Sequence, residues 1–254
     1  MEPANPLDSA RRRLQRANNR IMRLDDSINT FFEETSYSRI VDPDPGGKSE
    51  FHCLRFVDRL PSYWEDLAAE AFLALRSSLD QAGYGISVAS GKVKPTRTYF
   101  PITKGSASDL DDVVRGRCAD LPQEIQELFR GFNAYPGGND TLCALNEMRN
   151  AVHTVFAPTI LFAGGRRVQI AAGSKWDELF DPPIWDSTKN QIMFLRAPRG
   201  AQPQYNAEFK IQVAFDEVEA VAGKPATDVL RKMFVEVEQV LMATEAECRR
   251  IGLV

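Results

Sequence analysis

The stretch LNEMRNAVHTVFAPTILFAGG, residues 145–165, decides how this chain folds. A helix running from about Asp140 to Thr154 carries its first half. From Val155 the pattern changes, and VFAPTILFAGGRRVQIAAG reads as two strands joined at Gly164-Gly165, because paired glycines supply a tight hairpin turn. A helical half therefore hands over to strands here. Downstream, NQIMFLRAP and AEFKIQVAFDEV read as two further strands. Phe209, Ile211, Val213 and Phe215 alternate, as a half-buried strand requires. Between the first pair of strands and this second pair, SKWDELFDPPIWDSTKN reads as an aromatic, Pro-rich loop. The last element is a helix from about Pro225 to Arg250.

Upstream the pattern is helical. Leu7, Ala10, Leu14, Ala17, Ile21, Leu24, Ile28 and Phe31 recur at spacings of three and four. Such a narrow seam calls for a partner helix, within the chain or from a second subunit. The other faces carry six arginines, Arg11, Arg12, Arg13, Arg16, Arg20 and Arg23, read as a solvated face. YSRIVDPDPGGKSEFHCLRFVDRLP reads as a small hairpin around DPDPGG. A core helix is expected from about Ser62 to Ala82, with Ser62 as N-cap and Glu65 completing a capping box. Gly83, Gly85 and Gly91 break its pattern. An extended connection follows, then short helices near 108–118 and 122–131.

The expected fold is α+β. A bundle of about four main helices carries an antiparallel sheet of about four strands, inserted before the C-terminal helix, plus a small N-terminal hairpin. One domain is expected over residues 1–254, with helical parts 1–154 and 224–254 and a β-rich insertion 155–223.

Composition narrows the function classes. The chain has 254 residues, 43% hydrophobic and 26% charged, with a formal net charge of −4. That is ordinary globular composition, ample for a core, and it argues against wholesale electrostatic binding of nucleic acid. No run of about 18 apolar residues marks a membrane span. The four cysteines, Cys53, Cys118, Cys143 and Cys248, are widely spaced. They read as reduced thiols of a cytoplasmic protein, not as metal ligands. No cofactor fingerprint is present: no phosphate-binding loop, no Gly-x-Ser-x-Gly elbow, no His-Glu-x-x-His.

Candidate chemistry lies in an echo. Residues 72–80, FLALRSSLD, and residues 145–153, LNEMRNAVH, each place an arginine one turn before a titratable group. Arg76 precedes Asp80, and Arg149 precedes His153, one of only two histidines in the chain. Residues four apart share a helical face, so each pair is a set of neighbours. Histidine moves protons near neutral pH, which singles out Arg149, Asn150 and His153. Gln81 sits beside the first pair. His52 reads as structural.

The residues LRSSLDQ, YFPITK and LNEMRNAVH resemble those of an uncharacterised family of bacterial proteins. Its members carry a Leu-Arg-Ser-Ala-Leu-Asp-His helix, a Phe-Pro-Ile segment and a later histidine-bearing helix. The likeness runs from the first helix to about residue 156. RNAVH also resembles the motif of HEPN domains, helical bundles of bacterial RNases and toxins. It has three intervening residues where that motif usually has four to six. The earlier copy, Arg76 to Gln81, has a four-residue gap and ends in glutamine.

The HEPN likeness implies a metal-independent RNase or toxin of phage defence, assembled as a homodimer. It implies Arg149, Asn150 and His153 as the catalytic set, with Arg76, Asp80 and Gln81 in support at an RNA substrate. The rival expectation is a non-catalytic binding or assembly protein, with Trp176, Phe180 and Trp185 of the β-rich part meeting a protein partner. A third is a ligand sensor with its pocket between bundle and sheet.

Overall fold

The computed structural model describes residues 5–150, 156–162, 169–206, 209–215 and 220–254. The architecture is α+β: helices and an antiparallel sheet segregated into two packed parts. Helix α1 (Asp8–Glu34) buries Ala10, Leu14, Ala17, Ile21, Leu24 and Ile28 along the expected seam. Its partners lie within the chain. It packs on α2 (Tyr63–Ala89) and on the C-terminal α6 (Ala226–Arg250). The seam is thus occupied intramolecularly and is not left for a second subunit. Arg11 pairs with Glu245 of α6 and Arg20 with Glu70 of α2, so part of the arginine face spans neighbouring helices.

Helix α2 runs seven residues beyond the expected end at Ala82. The glycines that break its apolar pattern do not break the helix. A methyl group added at Gly83 would stand 2.0 Å from the Thr98 carbonyl oxygen, and one at Gly85 1.9 Å from that of Pro6. These positions are glycine because other backbone lies against the helix there, and that contact offsets glycine's poor helix propensity. Ser62 precedes α2 in helical conformation with no side-chain cap bond. The capping box lies elsewhere, at α3 (Ala107–Arg117), where the Asp109 carboxylate accepts from the Ser106 N–H at 2.6 Å and hydroxyl at 2.8 Å. Helices α4 (Gln123–Gly131) and α5 (Asp140–Asn150) complete the described helical set.

The hairpin expected near DPDPGG forms as β1 (Tyr37–Pro43) and β2 (Ser49–Phe56). Asp44 makes its turn, accepting from the Gly47 N–H at 2.8 Å. The hairpin is not a separate feature. With β5 (Glu178–Asp186) and β6 (Gln191–Pro198) it builds one antiparallel sheet in the order β1-β2-β6-β5. The sheet is therefore not confined to residues 155–223. The aromatic stretch read as a loop is largely strand β5, because Leu179 and Trp185 are needed against the sheet's own core. That core holds Leu54, Phe56, Ile192, Phe194 and Leu195.

The turn expected at Gly164-Gly165 lies outside the described residues, and the strands on either side of it pair with other strands. Strand β3 (Phe156–Phe162) runs antiparallel to β8 (Phe209–Phe215), and the short β4 (Gln169–Ile170) pairs with β7 (Tyr205–Asn206). Val213 and Phe215 of β8 join the helical core, Phe215 with its ring 5.5 Å from that of Phe72. Strand β8 thereby lies between β3 and the helical core. Among the described residues no helix is long and apolar enough to cross a membrane.

His52 sits on β2, 6% exposed, with Nδ1 3.3 Å from the Tyr205 hydroxyl. Burial lowers its imidazole below the ordinary 6.5. The folded chain then stays neutral there while the unfolded chain takes up a proton as pH falls through about 6.5. Stability present above that pH is lost below it. Urea unfolding at pH 7.5 and pH 5 will show a smaller loss for His52→Gln than for the wild type. Equal losses would show that His52 carries no such linkage.

Candidate functional site

The two halves of the sequence echo meet in space. Helix α5 packs on α2, and Arg76, Asp80 and Arg149 line one cleft of about 360 Å³. Arg97, Tyr99 and Arg117 line it as well. Spacing along either helix could not have disclosed these last three residues, which come from the connecting segment and the end of α3. Arg97 and Tyr99 stand in KPTRTYF and Arg117 in VVRGR, stretches with no local pattern that marks a site.

The cleft is built on a buried pair. Arg76 is 4% exposed on α2. Its Nη2 donates to Asp80 Oδ1 at 3.1 Å and to the Phe100 carbonyl at 2.9 Å. Asp80 Oδ1 also accepts from the Phe100 N–H at 3.1 Å. One helix thereby grips both polar groups of a single peptide residue. The Phe100 ring is wholly buried, 4.9 Å from that of Phe129. Burial pushes the Asp80 carboxyl up, and Arg76 and the Phe100 N–H oppose that shift. Burial pushes the Arg76 guanidinium down from its ordinary value, and Asp80 opposes that shift.

The segment carrying Arg97 and Tyr99 is fixed along its backbone. The Asp120 carboxylate accepts from the N–H groups of Thr96 and Arg97, each at 2.9 Å. The Asp120 N–H donates to the Arg97 carbonyl at 3.1 Å, and the Tyr99 N–H to the Arg117 carbonyl at 3.0 Å. Cys118 donates its thiol to the Tyr99 carbonyl at 3.1 Å, and burial pushes that thiol up to about 12. It is a packed donor and no nucleophile. Tyr99 itself stays 52% exposed beside the arginines.

The electrostatics are one-sided: four guanidiniums and one carboxylate line the cleft. Arg76 has Asp80, and Arg97 has Asp120 at 4.0 Å. Arg117 and Arg149, both exposed, have no ion pair among the described residues. Arg76 Nε and Nη1 are buried with no hydrogen-bond partner among the described residues. Such an arrangement suits an anion.

The remaining expected site residues divide. Asn150 ends α5 and is exposed. His153 lies outside the described residues. Gln81 does not line the cleft; its Oε1 accepts from the Ser9 hydroxyl at 3.0 Å, which ties α2 to α1. Trp176 is 45% exposed. Phe180 and Trp185 are half-buried on β5, their rings 6.1 Å from those of Phe51 and Phe56. The three aromatics are therefore not one exposed patch, because sheet packing claims two of them. Among the described residues no group of three His, Cys, Asp or Glu side chains could hold a metal ion.

Compared with known proteins, the chain matches no family model, no curated protein and no solved structure.

The geometry separates support from contact. Asp80→Ala strands a buried guanidinium and frees the Phe100 N–H, so it will cost about 3–5 kcal/mol in urea unfolding. Arg117→Ala, at an exposed position, will stay within about 0.5 kcal/mol. Similar costs for the two variants would contradict this division.

Proposed function

We propose that the protein is a HEPN-like, metal-independent ribonuclease that receives an RNA phosphate in the arginine cleft. The observation that carries this reading is the convergence of Arg149 with Arg76, Arg97 and Arg117 on one cleft in a chain of net charge −4. A basic concavity in an acidic protein focuses its field on anions at that place. The RNA supplies its own nucleophile. His153, one turn beyond Arg149 in sequence, takes the proton of the 2′-hydroxyl as general base. The 2′-oxygen forms its bond to phosphorus, the bond to the 5′-oxygen breaks, and the departing oxygen takes up a proton. Arg149 balances the charge that gathers on the phosphorane. Asn150 orients the phosphate or the imidazole. The products are a 2′,3′-cyclic phosphate and a 5′-hydroxyl end. A cytoplasmic setting and a role in phage defence accompany this reading.

The rival reading, a partner surface on the β-rich part, finds less support, since Phe180 and Trp185 are drawn into the sheet.

The test is incubation of end-labelled RNA with the wild type, Arg149→Ala and His153→Ala, each with and without EDTA. Wild-type cleavage that survives EDTA and leaves a 2′,3′-cyclic phosphate is expected. Each variant should slow it about 100-fold or more. Intact RNA with the wild type, or equal cleavage by His153→Ala, refutes the reading.

A further inference from the structure

We propose that the arginine cleft also takes a phosphate dianion, the phosphomonoester of a nucleotide, and holds it more tightly than the monoanionic internal diester of the strand it cuts. The inference rests on the reading of the cleft as a phosphate site and adds the class of phosphate. It follows from a balance of charge. Of the four guanidiniums, Arg76 is matched by Asp80 and Arg97 by Asp120. Two positive charges remain in excess: Arg117 and Arg149 make no ion pair among the described residues, and the single charge of Asp80 in the cleft is already met by Arg76. A phosphomonoester above its second pKa of about 6 brings close to two negative charges. A diester brings one and leaves a cation uncompensated in a partly enclosed site.

A second observation points to a ligand at this place. Arg76 lines the cleft with its side chain 5% exposed, yet its Nε and Nη1 find no partner among the described residues. Buried guanidinium donors ordinarily have acceptors. Size and rigidity agree. A volume of about 360 Å³ lies near the lower end of ligand pockets, which run from about 300 to 1,000 Å³. That suits one nucleotide at a time. The backbone bonds at Thr96, Arg97 and Tyr99 fix the wall before a ligand arrives, so little ordering is left to oppose binding. The half-exposed Tyr99 ring stands beside the arginines, where a base can stack on it.

Isothermal titration of the full chain tests this with five probes. They are inorganic phosphate, adenosine 5′-monophosphate, the dinucleoside monophosphate ApA, and one short RNA with either a 5′-phosphate or a 5′-hydroxyl. At pH 7.5 the monophosphate should bind about tenfold or more tightly than ApA, as one added charge-assisted contact implies. Its affinity should fall between pH 7 and 5 as the phosphate takes up a proton, while that of ApA should not. Arg117→Gln and Arg149→Gln should each weaken monophosphate binding about tenfold. Arg249→Gln, on the far end of α6, should not. Inorganic phosphate binding as tightly as the monophosphate would assign the site to free phosphate and remove the nucleoside from the proposal. A gain from the 5′-phosphate on RNA would assign it to strand ends. ApA binding as tightly as the monophosphate, or unchanged monophosphate affinity in both arginine variants, overturns the inference. The cleavage assay is independent of this result: RNA can be cut with no preference for dianions, and a dianion can bind with no cleavage.

Discussion

Helix α2 holds both polar groups of Phe100, the carbonyl through Arg76 and the N–H through Asp80. Much of the helical part depends on that grip. Phe100 is the point where an extended connection enters the core, its ring against Phe129 of α4. A bare backbone segment running over a helix would leave its N–H and C=O groups unmet, which is costly once water is excluded. Here the N–H groups of Thr96, Arg97, Tyr99 and Phe100 find partners, from Asp120 at Thr96 and Arg97, from the last turn of α3 at Tyr99 and from α2 at Phe100. Gly83 lets the same connection lie directly on α2, where any side chain would meet the Thr98 carbonyl. The positions of Arg97, Tyr99 and Arg117 are consequences of this packing.

Most helices were legible in the sequence because their burial is periodic. The seam of α1 and the stripe of α2 reappear as the buried residues of those helices. What misled was local chemistry with a tertiary purpose. Gly83 and Gly85 look like breakers when only propensity is weighed, and they are contact points once a crossing chain is considered. Ser62 with Glu65 has the spacing of a capping box, but the backbone enters α2 already helical, so no cap forms. The stretch around Phe180 and Trp185 has the prolines of a loop and became a strand, because the sheet's apolar face needed Trp185. Strand partners were the least readable of all. Strand β3 pairs with β8, about fifty residues on in sequence, and no local pattern in β3 records so distant a partner.

The site was half legible for a related reason. An arginine one turn from a titratable group is visible on each helix alone, so Arg76, Asp80 and Arg149 could be named in advance. That they share a cleft depends on α5 packing against α2. Gln81, adjacent in sequence to Asp80, points its amide to Ser9 on α1. A step of one residue turns a side chain by about 100° around a helix, enough to exchange one neighbouring element for another.

An arginine-lined cleft in an acidic chain also carries a cost that its architecture explains. Gathering four like charges raises the energy of the folded state, and burying one of them adds desolvation. Two devices keep that cost small. Asp80 neutralises the buried member at 3.1 Å, and Arg117 and Arg149 remain exposed, where water screens them. An incoming anion removes that screening water and replaces it with its own charge. An anion bound there would relieve the repulsion among the arginines, more so the higher its charge. The same arrangement explains why the arginines sit at different depths. The buried one is held by backbone and fixes the geometry, and the exposed ones supply attraction at little expense to the fold.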